Sequence, residues 1–212
     1  MDSALLEALL SAMDELVADP DLRVLVVSTT STRALSAGAD VREQLDRAGG
    51  VARMELFARM YAAVEAFPAP TIAVCVGNVV GAGAELAAGC DLRVGGDNLK
   101  LSWAGARLGV PVGPARLVPL IGLARAKELI FTGRVLGMEE AASLGLLHRT
   151  APAGRAEEAA LELAREIAQH PPDGMRRLKR MFRELEGGAA RVEYENEMLV
   201  AFQREGAGLP RR

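Results

Sequence analysis

Aromatic side chains are scarce in this sequence, and their scarcity limits the kind of core it can form. Phe, Trp and Tyr make up 4% of the 212 residues, although 50% of all residues are hydrophobic. The core must therefore be built from Ala, Leu and Val, with Gly where backbone segments approach closely. This composition is typical of an α/β protein, and the length suits one well-buried domain.

Long apolar runs and clustered cysteines are also missing. The longest apolar runs, Leu22 to Ser28 and Thr71 to Val76, have the length of a strand and fall short of the ~20 residues that span a bilayer. Met1-Asp2-Ser3 begins no secretory signal, because no basic segment and apolar stretch follow it. Cys75 and Cys90 lie in apolar segments and are typical of buried thiols in a reducing compartment. We therefore expect a cytoplasmic protein with no disulfide and no membrane partner.

Charge and histidine content argue against two further classes of protein. The net charge of −3 disfavours nucleic acid as a partner. A basic stretch from Arg176 to Arg183 is best interpreted as a solvated helix face, and a patch for a small anion is the alternative. His148 and His170 lack metal-ligand spacing to each other or to the cysteines. We expect no metal site.

Strand and helix patterns alternate along the first 150 residues. Helices are predicted at 3–18, after Asp40, at 51–67, 81–89, 122–131 and 138–144, and strands at 22–28, 71–76, 91–94, 99–103 and 146–150. Gly77-Asn78 is predicted to be a turn. From Arg155 onward the pattern is only helical. A parallel α/β core over residues 1–150, followed by a helical region over 151–212, is therefore expected.

The segment Gly81-Ala82-Gly83-Ala84-Glu85-Leu86 is the first candidate for a functional site, because it lies between a predicted strand and a predicted helix. A dinucleotide-binding fingerprint would require a third Gly where Leu86 stands. The segment alone is equally compatible with a tight turn that needs Gly only for its backbone.

The wider sequence around this segment resembles the signature of the crotonase (enoyl-CoA hydratase/isomerase) superfamily. Val76 to Arg93 reads VGNVVGAGAELAAGCDLR, which has the family's strand, turn, glycine triplet, Glu and Cys-Asp-Leu-Arg. Three other segments match further family motifs in the right order: Arg33 to Asp40 (RALSAGAD), Gly122 to Gly133, and Glu139 to Leu147. We therefore identify the chain as a member of that superfamily.

The resemblance implies a fold, a ligand and an assembly. The fold would be the ClpP/crotonase superhelix of repeated ββα turns, with residues 151–212 as a helical region for trimerisation. The partner would be an acyl-CoA or enoyl-CoA thioester, with coenzyme A as part of the substrate and no other cofactor. A homotrimer or a hexamer is expected.

The resemblance also assigns a site in which two backbone N–H groups stabilise a thioester enolate, those of Ala39 and Ala82. Family members usually have Gly at the second position, but the methyl group of Ala82 leaves its N–H intact. Asp40 is interpreted as a structural residue that forms hydrogen bonds with the local backbone. The residues assigned to substrate binding are Arg33, Ser36, Ala37, Asp40, Trp103 and Gly105.

The chain departs from the family pattern at three places. Glu85 matches the first of the two hydratase glutamates, but Gly105 stands where the second would be. The segment Val110 to Leu117 is about two residues shorter than the family's loop, judged by the resemblance. Roughly forty residues that family members have before the first helix, and which supply strands and part of the CoA grip, are missing by the same comparison. The missing strands would reflect either a misplaced start or a minimal domain.

Three functions therefore remain open. The leading hypothesis is an enoyl-CoA isomerase that moves a proton within an acyl-CoA, with Glu85 as its single catalytic acid/base. The second is a hydratase with an atypical second acid. The third is a protein that binds acyl-CoA, or an acyl group on a lipid carrier, without catalysis, because fold alone does not fix function.

Overall fold

The strands form two parallel sheets. The computed structural model of the chain describes residues 1–206 together with 208 and 209. The first sheet contains, in spatial order, β1 (Leu25–Val27), β3 (Thr71–Cys75), β5 (Leu92–Gly96) and β7 (Arg149–Ala151). The second contains β2 (Ala34–Ser36), β4 (Asn78–Val80) and β6 (Lys100–Ser102). Successive strands thus go to alternate sheets.

A helix follows each pair of strands, and the C-terminal part of the chain is helical. The helices of the described part are α1 (Ser3–Val17), α2 (Arg47–Ala66), α3 (Ala82–Gly89), α4 (Pro114–Ile121), α5 (Leu123–Thr132), α6 (Met138–Ser143), α7 (Ala156–Ala168), α8 (Pro172–Leu185) and α9 (Gly188–Glu205). Short 3₁₀ helices lie at Ala104–Leu108 and Ala153–Arg155. Strand, strand, helix is the repeating order of the core, so the predicted ββα fold with a helical C-terminal region is confirmed.

Strand β3 lies at the centre of the molecule, and all five of its residues are buried. Because side chains alternate along a strand, its two faces enter different layers. Ile72 and Val74 pack against the face that carries α7, in a small apolar cluster with Ala156. Ala73 and Cys75 point into the main core. Burial on both faces explains why this segment is apolar throughout.

Helix α1 forms where the sequence predicts it. The Asp2 carboxylate caps its first turn by accepting the N–H of Leu5 at 2.9 Å. Leu6, Leu10 and Met13 recur at helical spacing and are the buried residues of the helix. This buried stripe packs on α2.

Several elements differ from the sequence-based prediction; β7, for example, begins at Arg149 where a strand was predicted from Leu146. The helix predicted after Asp40 is wrong: residues 41–46 form turns and loop, and Asp46 caps the start of α2. A turn was predicted at Gly77-Asn78, but only Gly77 has the left-handed backbone of a turn, with φ +55°. Asn78 is the first residue of β4. Helix α4 was not predicted, although Pro114 at its first position is a frequent helix start.

The last helix returns to the core. α9 packs along α2 and also contacts α4, with Val192, Glu195 and Leu199 among its buried residues. Within the described residues, no helix combines the length and apolar character required to cross a membrane. The division into residues 1–150 and 151–212 stays a prediction.

Candidate functional site

Two glycines bring the loop after β2 against the start of α3. A Cβ added to Gly83 would lie 2.4 Å from the carbonyl oxygen of Ser36, so only Gly allows this approach. Gly38 has φ +103°, and a Cβ there would lie 3.1 Å from the carbonyl oxygen of Val80. The loop and the helix N-terminus therefore meet backbone to backbone.

The N–H groups of Ala39 and Ala82 lie at this junction. Ala82 is the first residue of α3, where a helical N–H has no partner within the helix. A Cβ on Gly38 would be 3.8 Å from the backbone nitrogen of Ala82, which shows how close the two segments are. Within the described residues, neither N–H donates a hydrogen bond. Both donors are free for a ligand.

A cavity of about 260 Å³ opens beside these donors. Ala37, Ala39, Ala82 and Gly105 from the predicted site all line it. The lining also includes Leu199 of α9 and apolar side chains of α2. The structure thus brings four predicted site residues together around one apolar space.

Glu85 lies next to this cavity but does not line it. Its carboxylate is fully buried in the first turn of α3 and accepts a hydrogen bond from Arg116 Nη1 at 3.0 Å. The same nitrogen bonds Glu195 of α9, whose Oε2 accepts the N–H of Ala115 at 2.7 Å. Glu85 Oε1 has no hydrogen-bond partner in the described part of the chain. One buried arginine therefore serves two buried carboxylates.

The pKa of the Glu85 carboxyl is set by burial and by two nearby charges that act in opposite directions. Burial raises the pKa of its carboxyl, the attraction to Arg116 lowers it, and the negative charge of Glu195 raises it again. Burial outweighs the attraction because Arg116 is shared, and the pKa of Glu85 rises to about 8. The carboxyl of Glu85 therefore holds its proton more tightly than an exposed glutamate does.

Tyr61 of α2 is a cavity residue that the sequence analysis missed. The guanidinium carbon of Arg116 lies over its ring, 4.3 Å from the ring centroid. The ring also stacks on Phe57, with the two centroids 6.0 Å apart. It lines the cavity and is almost fully buried. In sequence it is one apolar position of a helix among many, so no signal distinguished it.

Arg116 and Glu195 were also missed as parts of the site. Arg116 lies within the segment Val110 to Leu117, where α4 begins, and only the tertiary structure brings it to Glu85 of α3. For Glu195, the sequence did contain a signal in the helical spacing of its apolar neighbours. Val192 and Leu199 lie three residues before and four residues after it, so Glu195 belongs to the buried face of α9.

Gly105, at which the family resemblance predicts the second hydratase carboxylate, lies in the 3₁₀ helix Ala104–Leu108. A Cβ on Gly105 would be 3.1 Å from Val112 Cγ2 and 3.2 Å from the carbonyl oxygen of Val110. The shortened loop therefore occupies the space beside Gly105. No Asp, Glu or His is among the described residues that line the cavity.

The other predicted binding residues lie away from the cavity lining. Arg33 is exposed in the turn before β2, and Asp40 forms an exposed pair with Arg42. The Ser36 hydroxyl accepts the N–H of Gly38 at 3.2 Å and so shapes the loop. Trp103 is buried in the core. Their roles in substrate binding stay predictions.

Comparison with known proteins places this chain and its fold in a family. The structure matches that of an enoyl-CoA hydratase from Bacillus anthracis with a TM-score of 0.81 and 28% identity, covering 98% of this chain and 88% of the other. The family model described as enoyl-CoA hydratase/isomerase matches residues 1–206. The chain belongs to the enoyl-CoA hydratase/isomerase family of the crotonase superfamily.

Individual relatives differ in length from this chain. It is 37% identical over 166 residues to the human mitochondrial enoyl-CoA hydratase domain-containing protein 2, a match that covers 76% of this chain and 57% of that protein. It is 28% identical over 217 residues to the 2,3-dehydroadipyl-CoA hydratase of Escherichia coli K12, covering 99% of this chain and 85% of the relative.

Proposed function

We propose that this chain binds an acyl-CoA thioester and stabilises its enolate, with Glu85 as the acid/base of a double-bond isomerisation. The observation that carries the proposal is the pair of free N–H groups of Ala39 and Ala82 at one apolar cavity. Fixed donors in a water-poor site stabilise a negative charge that develops only during the reaction. The start of α3 adds the positive end of a helix dipole.

The proton transfer needs one carboxylate. Ionised Glu85 would remove a proton from the carbon next to the thioester carbonyl, and the electron pair would move onto the carbonyl oxygen held by the two N–H groups. Protonated Glu85, whose proton can exchange with the solvent, would then deliver a proton to the far carbon of the conjugated system, so that no water is consumed. Glu85 Oε1 lacks a partner among the described residues, and because Glu85 does not line the cavity, the transfer would require its carboxylate to turn towards the bound acyl group.

Hydration is less well supported than isomerisation. A hydratase of this family holds its water between two carboxylates. No carboxylate lies near Gly105 among the described residues that line the cavity. Val110 and Val112 occupy the space from which a second carboxylate would act. A one-base reaction fits these surroundings better.

A second candidate function is binding of acyl-CoA without catalysis. The full burial of Glu85 and its hydrogen bond to Arg116 favour this alternative, because a structural ion pair has the same appearance. Both functions require the same ligand, and they differ in whether the bound acyl group exchanges protons with the solvent.

Solvent-deuterium incorporation into a bound acyl-CoA separates the two. Glu85→Gln keeps size and hydrogen bonding but cannot accept the proton, so exchange should fall about 10²- to 10⁴-fold while affinity is kept. Glu139→Gln, at an exposed position of α6, is the matched control and should exchange like the wild type. Equal exchange by wild type and Glu85→Gln would identify another base. Binding without exchange in every variant would favour the non-catalytic function.

A further inference from the structure

Tyr61 places a polar group in the otherwise apolar lining of the cavity beside Ala39 and Ala82. Among the described lining residues, it alone has a side chain with an N–H or O–H group. A few polar groups in an apolar pocket usually fix the orientation and identity of the ligand. The position of Tyr61 therefore bears on which acyl group the cavity accepts.

The ring of Tyr61 is held in place from within the protein. Arg116 lies over its face at 4.3 Å from the ring centroid, and Phe57 stacks on it at an interplanar angle of 28°. Arg116 is in turn fixed by Glu85 and Glu195. A rigid side chain loses little conformational entropy when it binds, so its hydroxyl can discriminate between ligands.

Tyr61 lines the cavity, and among the described residues its hydroxyl is not one of the fully enclosed side-chain polar atoms that lack a hydrogen-bond partner. A tyrosine hydroxyl beside apolar surface usually finds a hydrogen-bond partner, and covering it with a ligand that offers none is costly. Burial and the charge of Glu85 raise the pKa of Tyr61 well above its usual value of 10, so the hydroxyl keeps its proton. It therefore offers an O–H donor to a ligand.

We propose that Tyr61 selects acyl groups that carry a neutral, hydrogen-bond-accepting oxygen, such as a hydroxyl or keto group, over plain hydrocarbon chains. This specificity rests on the proposed binding of acyl-CoA. An acceptor oxygen on the acyl group would give the hydroxyl a hydrogen-bond partner. A plain chain would leave it unpaired and desolvated.

A neutral oxygen fits better than a carboxylate. No Lys, Arg or His is among the described residues that line the cavity, and Arg116 is already shared by Glu85 and Glu195. A carboxylate would thus enter an apolar space without a free cation, at a high desolvation cost. The volume of about 260 Å³ lies below the ~300–1,000 Å³ of typical ligand pockets, which favours a short acyl group.

The test compares affinities and needs no catalytic activity. Dissociation constants are measured by calorimetry for pentanoyl-CoA, its 3-hydroxy and 4-hydroxy derivatives, and glutaryl-CoA as the carboxylate arm. The wild type should bind at least one hydroxy derivative about fivefold to tenfold more tightly than pentanoyl-CoA, as expected for one buried hydrogen bond. Tyr61→Phe should lose this preference and keep its affinity for pentanoyl-CoA.

Tyr194→Phe is the matched control, since Tyr194 is exposed on α9 and is the other tyrosine of the chain. It should keep the wild-type preference. Equal affinities of the wild type for all four ligands, or an unchanged preference in folded Tyr61→Phe, would overturn the assignment of Tyr61 while leaving acyl-CoA binding intact. Tightest binding of glutaryl-CoA would reject the neutral-oxygen requirement. If none of the thioesters bound, the proposed function itself would be wrong.

Discussion

At the scale of single residues, Gly105 and Glu85 show how neighbours decide what a carboxylate can do in this site. Glu85 is present, but its proton affinity is set by burial and by a cation that it shares with Glu195. At Gly105 a carboxylate is absent, and the adjacent valines fill the space that it would need. Restoring one side chain therefore requires changing its surroundings as well.

We predict that Gly105→Glu alone will give little hydration, because overpacking against Val112 costs about 1–3 kcal/mol and displaces the new side chain. Combining it with Val112→Ala should remove the contact and raise hydration above that of either single variant. The measurement is loss of the conjugated enoyl absorbance of crotonyl-CoA. Val112→Ala alone is the control. If the folded double variant binds crotonyl-CoA and hydrates it no faster than Val112→Ala, a second carboxylate at this position is not what hydration lacks.

At the scale of elements, α9 is part of the site although it lies far along the chain. It brings Glu195 to Arg116 and Leu199 to the cavity. The charged groups that face Glu85 are Arg116 of α4 and Glu195 of α9, with Tyr61 of α2 as the neighbouring titratable group. The proton affinity of the candidate base thus depends on charged groups from two other helices, α4 and α9.

We predict that Glu195→Gln will lower the pKa of Glu85, since it removes a nearby negative charge and leaves Arg116 to one carboxylate. Deuterium exchange into bound acyl-CoA requires ionised Glu85, so its rise with pH should shift to lower pH. Glu197→Gln, at an exposed position of the same helix, should keep the wild-type profile. An unshifted midpoint in folded Glu195→Gln would mean that Glu195 has only a structural role.

The sequence predicted elements better than contacts. Periodicity located α1, and the burial of β3 followed from its apolar run, because both signals are local. The glycine motif around Ala82 located the cavity through its resemblance to a family. The Arg116–Glu195 pair was not predicted because it joins residues 79 positions apart, and Tyr61 was not predicted because its meaning comes from what packs on its ring.

At the scale of the whole molecule, the C-terminal helices leave large apolar side chains exposed. Phe182 is 67% and Leu185 83% exposed on α8, and Tyr194 is 66% exposed on α9. Exposed apolar surface of this kind is frequent where protein chains associate. It is consistent with the predicted role of residues 151–212 in assembly.

We expect light scattering at micromolar concentration to give the mass of three or six chains. Phe182→Asp combined with Leu185→Asp should shift the mass towards the monomer, because charges would enter an apolar contact. Val17→Asp, at an exposed apolar position of α1, is the control and should leave the mass unchanged. A monomeric wild type would count against the prediction.

The position of Glu195 in α9, after the other elements that form the site, has a consequence for biosynthesis. Ribosomes extend a chain from its N-terminus, and the first segments can begin to fold before the last are made. Until residues 188–205 have emerged, Arg116 lacks Glu195, and the cavity lacks the wall that Leu199 supplies. A nascent or prematurely terminated chain would therefore present the two backbone donors without a finished pocket. Ligand competence would come only after α9 has been made and has packed against the rest of the site.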